Sequence, residues 1–190
     1  MKSTSFPSIR RALSSLPLLT LCAAAAFVPA RVAAAENESE FSKAIIDLGM
    51  VVSDAGKTAQ FLTNAIGFTE VKGFSVTPDL GRKIGLVDGY AAEVRVFALT
   101  EGDGTRLKVL SFPKAGAKTP EQKFIHSTLG FRYLTLYVKD MSAALARLKK
   151  AGVPTIGETP LDLGGGTMIA VVRDPDGNFV ELIGPMKAKN

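Results

Sequence analysis

Strand-like and helix-like patterns of apolar residues follow one another in an order that occurs twice in the 190-residue chain. In each copy an apolar run of strand length precedes an aspartate, Asp54 or Asp140, and a helical pattern then continues to a glycine, Gly67 or Gly152. The two aspartates stand 86 residues apart, and aspartate is a preferred helix N-cap. A repeated unit of this kind cannot bury its apolar face alone, so the pattern predicts two copies that pack on each other.

Three further strand-like segments follow the helix in each copy, which predicts two βαβββ modules and an α+β fold. The predicted strands cover residues 44–52, 68–76, 91–99 and 106–112 in the first copy, with a short helix within 77–89, and residues 131–138, 153–156, 167–172 and 179–183 in the second. The chain therefore divides into a signal peptide (1–35), a leader (36–43), module 1 (about 44–113), a polar linker (114–130), module 2 (about 131–185) and a tail (186–190).

Residues 1–35 have the three-part layout of a secretory signal peptide. Basic residues Lys2, Arg10 and Arg11 precede an apolar stretch, and small residues at 32–35 precede the first acidic residue. Pro17 interrupts the apolar stretch, which is shorter than the roughly 20 residues of a spanning helix. We therefore expect cleavage near Ala35, a periplasmic or secreted protein, and no membrane attachment afterwards.

Removing this segment changes the charge and cysteine arguments. Four of the 23 basic residues lie in it and none of the 18 acidic ones does, which leaves residues 36–190 with 19 basic against 18 acidic side chains. This near neutrality removes the electrostatic reason to expect a nucleic-acid partner. Cys22 is the single cysteine, so the mature chain has neither disulfides nor thiolate chemistry.

The most specific motif is the turn Asp174-Pro175-Asp176-Gly177-Asn178, followed three residues later by Glu181. Together with the paired module openings, it resembles the vicinal oxygen chelate superfamily, which includes glyoxalases, bleomycin-resistance proteins and extradiol dioxygenases. The resemblance implies that the two modules form a curved mixed sheet around a cavity. It also implies one divalent metal, held by histidines and glutamates on the first and last strands of each module.

This chain departs from that ligand pattern. Aligning the module openings places Asp47 and Tyr133 at the two histidine positions, and aligning the closing strands places Val109 opposite Glu181. Only Glu181 matches the family's ligand type, so the resemblance implies a degenerate metal site with Asp47 and Glu181 as its remaining metal ligands. If the protein is an enzyme, Glu181 and Tyr133 are the candidate catalytic residues.

Other side chains are predicted to line the cavity. Alternation in the third strand of module 1 indicates that its valines face the helices, which leaves Glu93, Arg95 and Phe97 on the concave side, with Arg95 as the partner of Asp47. Tyr133 and Tyr137 share one face of their strand and suit stacking on a ligand. For Glu93 and Arg95 a solvated strand face, and for Tyr137 ordinary packing, remain open.

Three functions fit the sequence. The favoured one is an exported domain that binds a small molecule at a degenerate metal site. The second is a metal-dependent lyase, isomerase or ring-cleaving dioxygenase of the same superfamily. The third is a scaffold or interaction protein with a vestigial cavity, in which the sheet edges or the linker bind a partner, and packing of Phe97, Tyr133 and Tyr137 on one another would favour it. A monomer and a homodimer with swapped modules are equally compatible with the pattern.

Overall fold

Each copy of the repeat forms its own four-stranded sheet in the computed structural model, which describes residues 40–43, 45–102 and 104–187. The predicted signal peptide and residues 36–39 of the leader lie outside the described residues. The strands of module 1 are β1 Asp47–Val51, β2 Thr69–Val76, β3 Ala92–Ala98 and β4 Arg106–Leu110, and those of module 2 are β5 Tyr133–Tyr137, β6 Leu161–Asp162, β7 Thr167–Arg173 and β8 Phe179–Pro185.

The two sheets have the same topology, with strand orders β1-β4-β3-β2 and β5-β8-β7-β6. In each sheet the first and last strands of the module pair in parallel, whereas the other neighbours are antiparallel. The predicted α+β fold with mixed sheets is therefore confirmed. Residues 41–190 form one compact unit, and β1 and β5 are edge strands of their own sheets.

The two module helices begin where the sequence predicts, because an aspartate caps each of them. Helix α1 (Ala55–Gln60) continues as a π-helical segment (Phe61–Ile66), α2 is Pro78–Lys83 and α3 is Met141–Lys150. The carboxylate of Asp54 accepts hydrogen bonds from the amides of Gly56 and Lys57 at 2.9 and 3.0 Å. Asp140 accepts from the amide of Ser142 at 2.9 Å. Among the described residues, no helix has the length and apolar character needed to cross a bilayer.

Both modules contribute to a single hydrophobic core. Met141, Ala144 and Leu148 of α3 are fully buried in the same cluster as the π-helical segment and the strands of both sheets. The guanidinium of Arg147 donates a hydrogen bond from Nη2 to the carbonyl of Ile66 at 3.0 Å, so the two module helices are also joined by a polar contact. The copies pack on each other through their helix-covered sides, as the repeat predicts.

The predicted strand at residues 153–156 is wrong. The edge strand of the second sheet is the two-residue β6 instead, and 153–156 form an irregular connection. Pro154 has no amide hydrogen to donate and Gly157 has a φ of +62°, so this segment does not continue a ladder. The amide of Ile156 alone reaches β7, at the carbonyl of Val171 (2.8 Å).

Candidate functional site

Each sheet has a face covered by helices and an open face. In β8, Val180 and Leu182 are buried in the core, and Glu181 between them is half-buried. Since successive side chains of a strand point to opposite faces, Glu181 lies on the open face. Its Oε2 atom accepts a hydrogen bond from the hydroxyl of Thr135 in the paired strand β5 at 2.7 Å.

The open face of β5 carries two accessible phenols. Tyr133 and Tyr137 flank Thr135 at alternate positions, and 51% and 81% of their surfaces are exposed. Phe97, by contrast, is 0% exposed and lies in the core. Packing of these three aromatic residues on one another would have favoured the vestigial-cavity hypothesis, and the structure shows a different arrangement.

Strand register corrects the alignment of the closing strands. In the parallel pairs, Gly49 lies opposite Lys108 in the first sheet, and Thr135 lies opposite Glu181 in the second. Gly49 and Thr135 are equivalent under the 86-residue repeat, so Lys108 is the counterpart of Glu181. The sequence placed Val109 there, which is wrong by one residue, and Val109 is fully buried in the core.

Lys108 forms an ion pair with Asp47, which also lies on the open face of module 1. Its Nζ lies 2.9 Å from Oδ2 of Asp47, and the two side chains are 35% and 33% exposed. The hydrogen bond from Lys108 is the main reason why the pKa of Asp47 falls below its ordinary value, so this carboxylate is ionised at neutral pH. The module-1 position therefore carries an aspartate held by an ammonium group.

Gly49 leaves empty space beside this ion pair. A Cβ atom built on Gly49 has no heavy atom within 4 Å, apart from its chain neighbours. A cavity of about 170 Å³ lies between the two edge strands, and its lining includes Gly49 and Met50 of β1 with Tyr133 and Leu134 of β5. The edge strands of the two modules therefore meet at one cavity, whose lining includes both Gly49 and Tyr133.

The predicted orientation of β3 is wrong. Arg95 donates to the carbonyl of Ala55 at 3.0 Å, on the helix side of the sheet, and both of its hydrogen bonds to the Glu70 carboxylate measure 2.7 Å. Phe97 lies on the same side, in the core. Alternation alone did not reveal this orientation, because β3 is apolar on both faces and Val94 and Val96 are buried as well.

Two of the proposed cavity-lining residues therefore have other roles. Arg95 pairs with Glu70 rather than Asp47, and this pairing lowers the pKa of Glu70 and raises that of Arg95. Glu93 points to the same side of β3 as Arg95 and is exposed near the start of the strand. Its carboxylate accepts a hydrogen bond there from the hydroxyl of Ser75 at 2.7 Å. Neither of them lies on the open face with Lys108.

The turn that carries the family resemblance has a structural role. Asp174 is buried, and burial raises the pKa of its carboxyl group, although its oxygens accept hydrogen bonds from the amide of Asp176 and from the amide and side chain of Asn178. Gly177 adopts a φ of +87°, which favours glycine. Oδ2 of Asp176 accepts from the amide of Ser53 at 3.0 Å, which joins this turn to the end of β1.

Hydrogen bonds of Gln122 hold the linker against the turn at residues 174–178, which the sequence did not predict. Gln122 donates from Nε2 to Oδ1 of Asn178 at 2.8 Å, and the carbonyl of Gln122 accepts from Arg173 at 2.6 Å. Arg132 donates to Oε1 of Gln122 at 2.7 Å. A cavity of about 340 Å³ lies between this part of the linker and the end of β1. Arg132 and Arg173, both within module 2, were the available signal in the sequence, but either could equally have faced solvent.

The residues at the four ligand positions do not fit a divalent metal. They are Asp47, Lys108, Tyr133 and Glu181, and the Lys108 ammonium is a cation that already neutralises Asp47. Metal sites with hard cations need several oxygen or imidazole donors around one point. Within the part of the chain that the structure describes, no group of three or more His, Cys, Asp or Glu residues is arranged to hold a metal ion.

Comparison with known proteins agrees with this architecture. The paired mixed sheets and their helices define a glyoxalase-like α+β fold. The family model of the Glyoxalase/Bleomycin resistance protein/Dioxygenase superfamily matches residues 44–182, and the chain belongs to this superfamily. The comparison with curated proteins gave no match.

Several solved structures share the fold at low sequence identity. A glyoxalase family protein from Bacillus cereus has a TM-score of 0.64 at 18% identity, covering 78% of this chain and 99% of its own. The trypanothione-dependent glyoxalase I of Leishmania major has a TM-score of 0.53 at 19% identity, covering 75% and 87%. An antibiotic-binding protein from a Streptomyces species has a TM-score of 0.51 at 24% identity, covering 77% and 98%.

Proposed function

We propose that this protein is an exported small-molecule-binding domain whose ligand site has lost the family's metal. The single observation that carries the proposal is the open space over Gly49, which lines a cavity together with Tyr133 and lies opposite Lys108 in the strand register. Binding sites combine an apolar surface with a few fixed polar groups, and this part of the open face has both.

Side chains on the open faces of the two modules offer distinct contacts to a ligand. The exposed phenol of Tyr133 provides an aromatic face and a hydroxyl, and Lys108 provides N–H donors. Glu181 provides a carboxylate acceptor that Thr135 holds in place. The same fold serves an antibiotic-binding protein from a Streptomyces species, and this likeness supports a binding function.

A metal-dependent enzyme is the weaker alternative. It requires Asp47 and Glu181 to hold a metal together, and the Lys108 ammonium competes with a metal for Asp47. Metal analysis of the purified protein tests it. A stoichiometric divalent metal that is lost in Glu181→Ala would favour the enzyme over the binding domain.

A substitution at Gly49 tests the binding proposal. Gly49→Leu is expected to fill the open space and to abolish binding of the fragments that the wild-type protein selects from a library of small aromatic acids, amines and alcohols, measured by ligand-observed NMR. Its backbone does not have a positive φ, so the fold and the melting temperature should be retained. Gly104→Leu, in the β3–β4 turn, is the matched control, since only a side-chain hydroxyl lies near its Cβ position.

The proposal would be contradicted in either of two ways. No fragment of the library binds the wild-type protein, or Gly49→Leu binds the selected fragments as well as Gly104→Leu does. Export is tested separately, by expressing the full chain in a bacterial host and measuring the mass of the product. We expect cleavage near Ala35 and a product outside the cytoplasm, and an uncleaved cytoplasmic product would refute export.

A further inference from the structure

We infer that Lys108 acts as a built-in cation of this site and that the ligand is a small organic anion, namely a carboxylate attached to an aromatic ring. This inference rests on the proposed binding function and names its ligand class. The residue that occupies a glutamate position of the family is here a lysine, so the sign of the charge at this position is reversed. A site that presents an ammonium group favours an anion over a metal ion.

The ammonium group retains the capacity to bind a ligand. A lysine has three N–H donors, and Asp47 accepts from this one at 2.9 Å, which leaves donors for a second acceptor. The Lys108 side chain is 35% exposed, so a ligand can reach it while the surrounding protein still strengthens the interaction. Asp47 holds the ammonium in place beside the open space of Gly49.

The charge on the open face of β1 and β4 is positive overall. Arg106 lies two residues before Lys108 on the same face and is directly opposite Asp47 in the parallel register. Lys108 is the partner of Asp47, whereas the guanidinium of Arg106 donates to the carbonyl of Gly102 at 3.4 Å, so this strand pair carries two cations and one carboxylate. An incoming carboxylate gains the attraction of both, whereas an ammonium ligand is repelled by both.

The equivalent position in module 2 has the opposite charge. Glu181 is paired in register with Thr135 and Val171, and neither of them is a cation. A carboxylate is therefore repelled at Glu181 and attracted at Lys108. Tyr133 lines the same cavity as Gly49, the register partner of Lys108, so an aromatic surface is available to the ring of an aromatic acid.

Two probes with the same ring and opposite charge test the inference. Benzoate and benzylamine are titrated into the purified protein, and binding is followed by amide chemical shifts. We expect benzoate to shift Gly49, Lys108 and Tyr133, and benzylamine not to bind there. Lys108→Met is expected to weaken the affinity for benzoate at least about tenfold, since it removes a charged hydrogen bond. Lys139→Met, at an exposed lysine outside the site, is expected to leave the affinity for benzoate unchanged.

A second variant keeps the test valid if Lys108→Met is unstable. Asp47→Asn removes a negative charge and retains an acceptor for Lys108, so benzoate is expected to bind at least as tightly as to the wild type. Weaker benzoate binding in Asp47→Asn, or unchanged binding in a folded Lys108→Met, would overturn the inference.

The failure of this inference is distinguishable from the failure of the proposed function. If benzylamine binds at Gly49 and benzoate does not, the site binds small molecules but the charge assignment is wrong. If neither probe nor any library fragment binds at Gly49, both proposals are wrong. Stoichiometric Mn²⁺ binding by the wild-type protein that is lost in Glu181→Ala would also overturn the inference.

Discussion

The two modules have the same fold and different chemistry on their open faces. Both have a parallel pair of first and last strands and a helix capped by an aspartate. At the equivalent open-face positions, module 1 has Asp47, Gly49 and Lys108, whereas module 2 has Tyr133, Thr135 and Glu181.

This difference separates the requirements of folding from those of the site. The helix side of each sheet fills one shared core, so most of its residues in both modules are apolar and buried, and the exception Arg95 is paired with Glu70. The open face has no such requirement. In module 1 it carries the Asp47–Lys108 ion pair and the open space over Gly49, whereas in module 2 it carries the Glu181 carboxylate and two tyrosines. The comparison predicts that substitutions on the helix side affect stability and those on the open face affect binding.

The largest effect is expected from Phe97→Ala. Phe97 is fully buried, so its removal should lower the free energy of unfolding by about 3–5 kcal/mol, as for other large core aromatics. Tyr137→Ala, on the open face of β5, should change it by less than about 0.5 kcal/mol. Urea unfolding followed by circular dichroism measures both. Equal effects would mean that Phe97 lies on the open face, as the sequence pattern had suggested.

A pair of glycines gives the next largest contrast. A Cβ on Gly184 would clash with the carbonyl oxygen of Val138, whereas one on Gly49 meets nothing within 4 Å. Gly184→Ala is therefore expected to cost about 1–3 kcal/mol of stability, as overpacking does, and Gly49→Ala is expected to leave the melting temperature unchanged. Thermal unfolding of both variants measures this contrast, and a stable Gly184→Ala protein would contradict the packing described for β8.

The helix caps should respond alike in the two modules. Asp140→Ala removes the acceptor for the amide of Ser142 and is expected to lower stability by about 1 kcal/mol. Asp54→Ala removes the equivalent bonds in module 1 and should act in the same direction. Chemical unfolding of both variants measures this. A loss in only one module would show that the repeat is not equivalent at its helix starts.

The smallest effect concerns the ion pair of Glu70 and Arg95. Because Arg95 lowers the pKa of Glu70 in the folded state, the pair stabilises the fold above the ordinary glutamate pKa of about 4.3, and this contribution is lost as the pH falls through the folded-state value. Glu70→Gln should therefore cost about 0.2–1 kcal/mol at pH 7, and less as the pH falls below about 4.

Urea unfolding of Glu70→Gln at several pH values measures this dependence, with Glu158→Gln as the control at an exposed glutamate. A cost that is constant from pH 7 to pH 3 would show that Glu70 is not held by Arg95.

The sequence predicted the elements of the fold better than their orientation. Asp54 and Asp140 marked both helix starts because a cap is a local signal. Which side chains of β3 face the helices was not predictable, since Val94, Val96 and Phe97 are all apolar and all buried. Which face of such a strand meets the helices is decided by packing between distant segments.

The candidate site shows the same limit. The alternation around Glu181 was sufficient to place it on the open face, because both of its neighbours are apolar. Lys108 was missed because the sequence alignment matched the ends of β4 and β8, whose lengths differ. Only the register of β4 with β1 and of β8 with β5 shows that Lys108 corresponds to Glu181. Gln122 was missed because its contact with Asn178 joins segments 56 residues apart in the chain, which a local pattern does not reveal.

A crystal structure grown with benzoate and Mn²⁺ together tests the central claim most directly, because both compete for the same part of the open face. The account predicts a benzoate oxygen within about 3 Å of Nζ of Lys108, the distance of a charged hydrogen bond, and its ring against Tyr133. A manganese ion coordinated by Asp47 and Glu181, with Lys108 displaced, would contradict it.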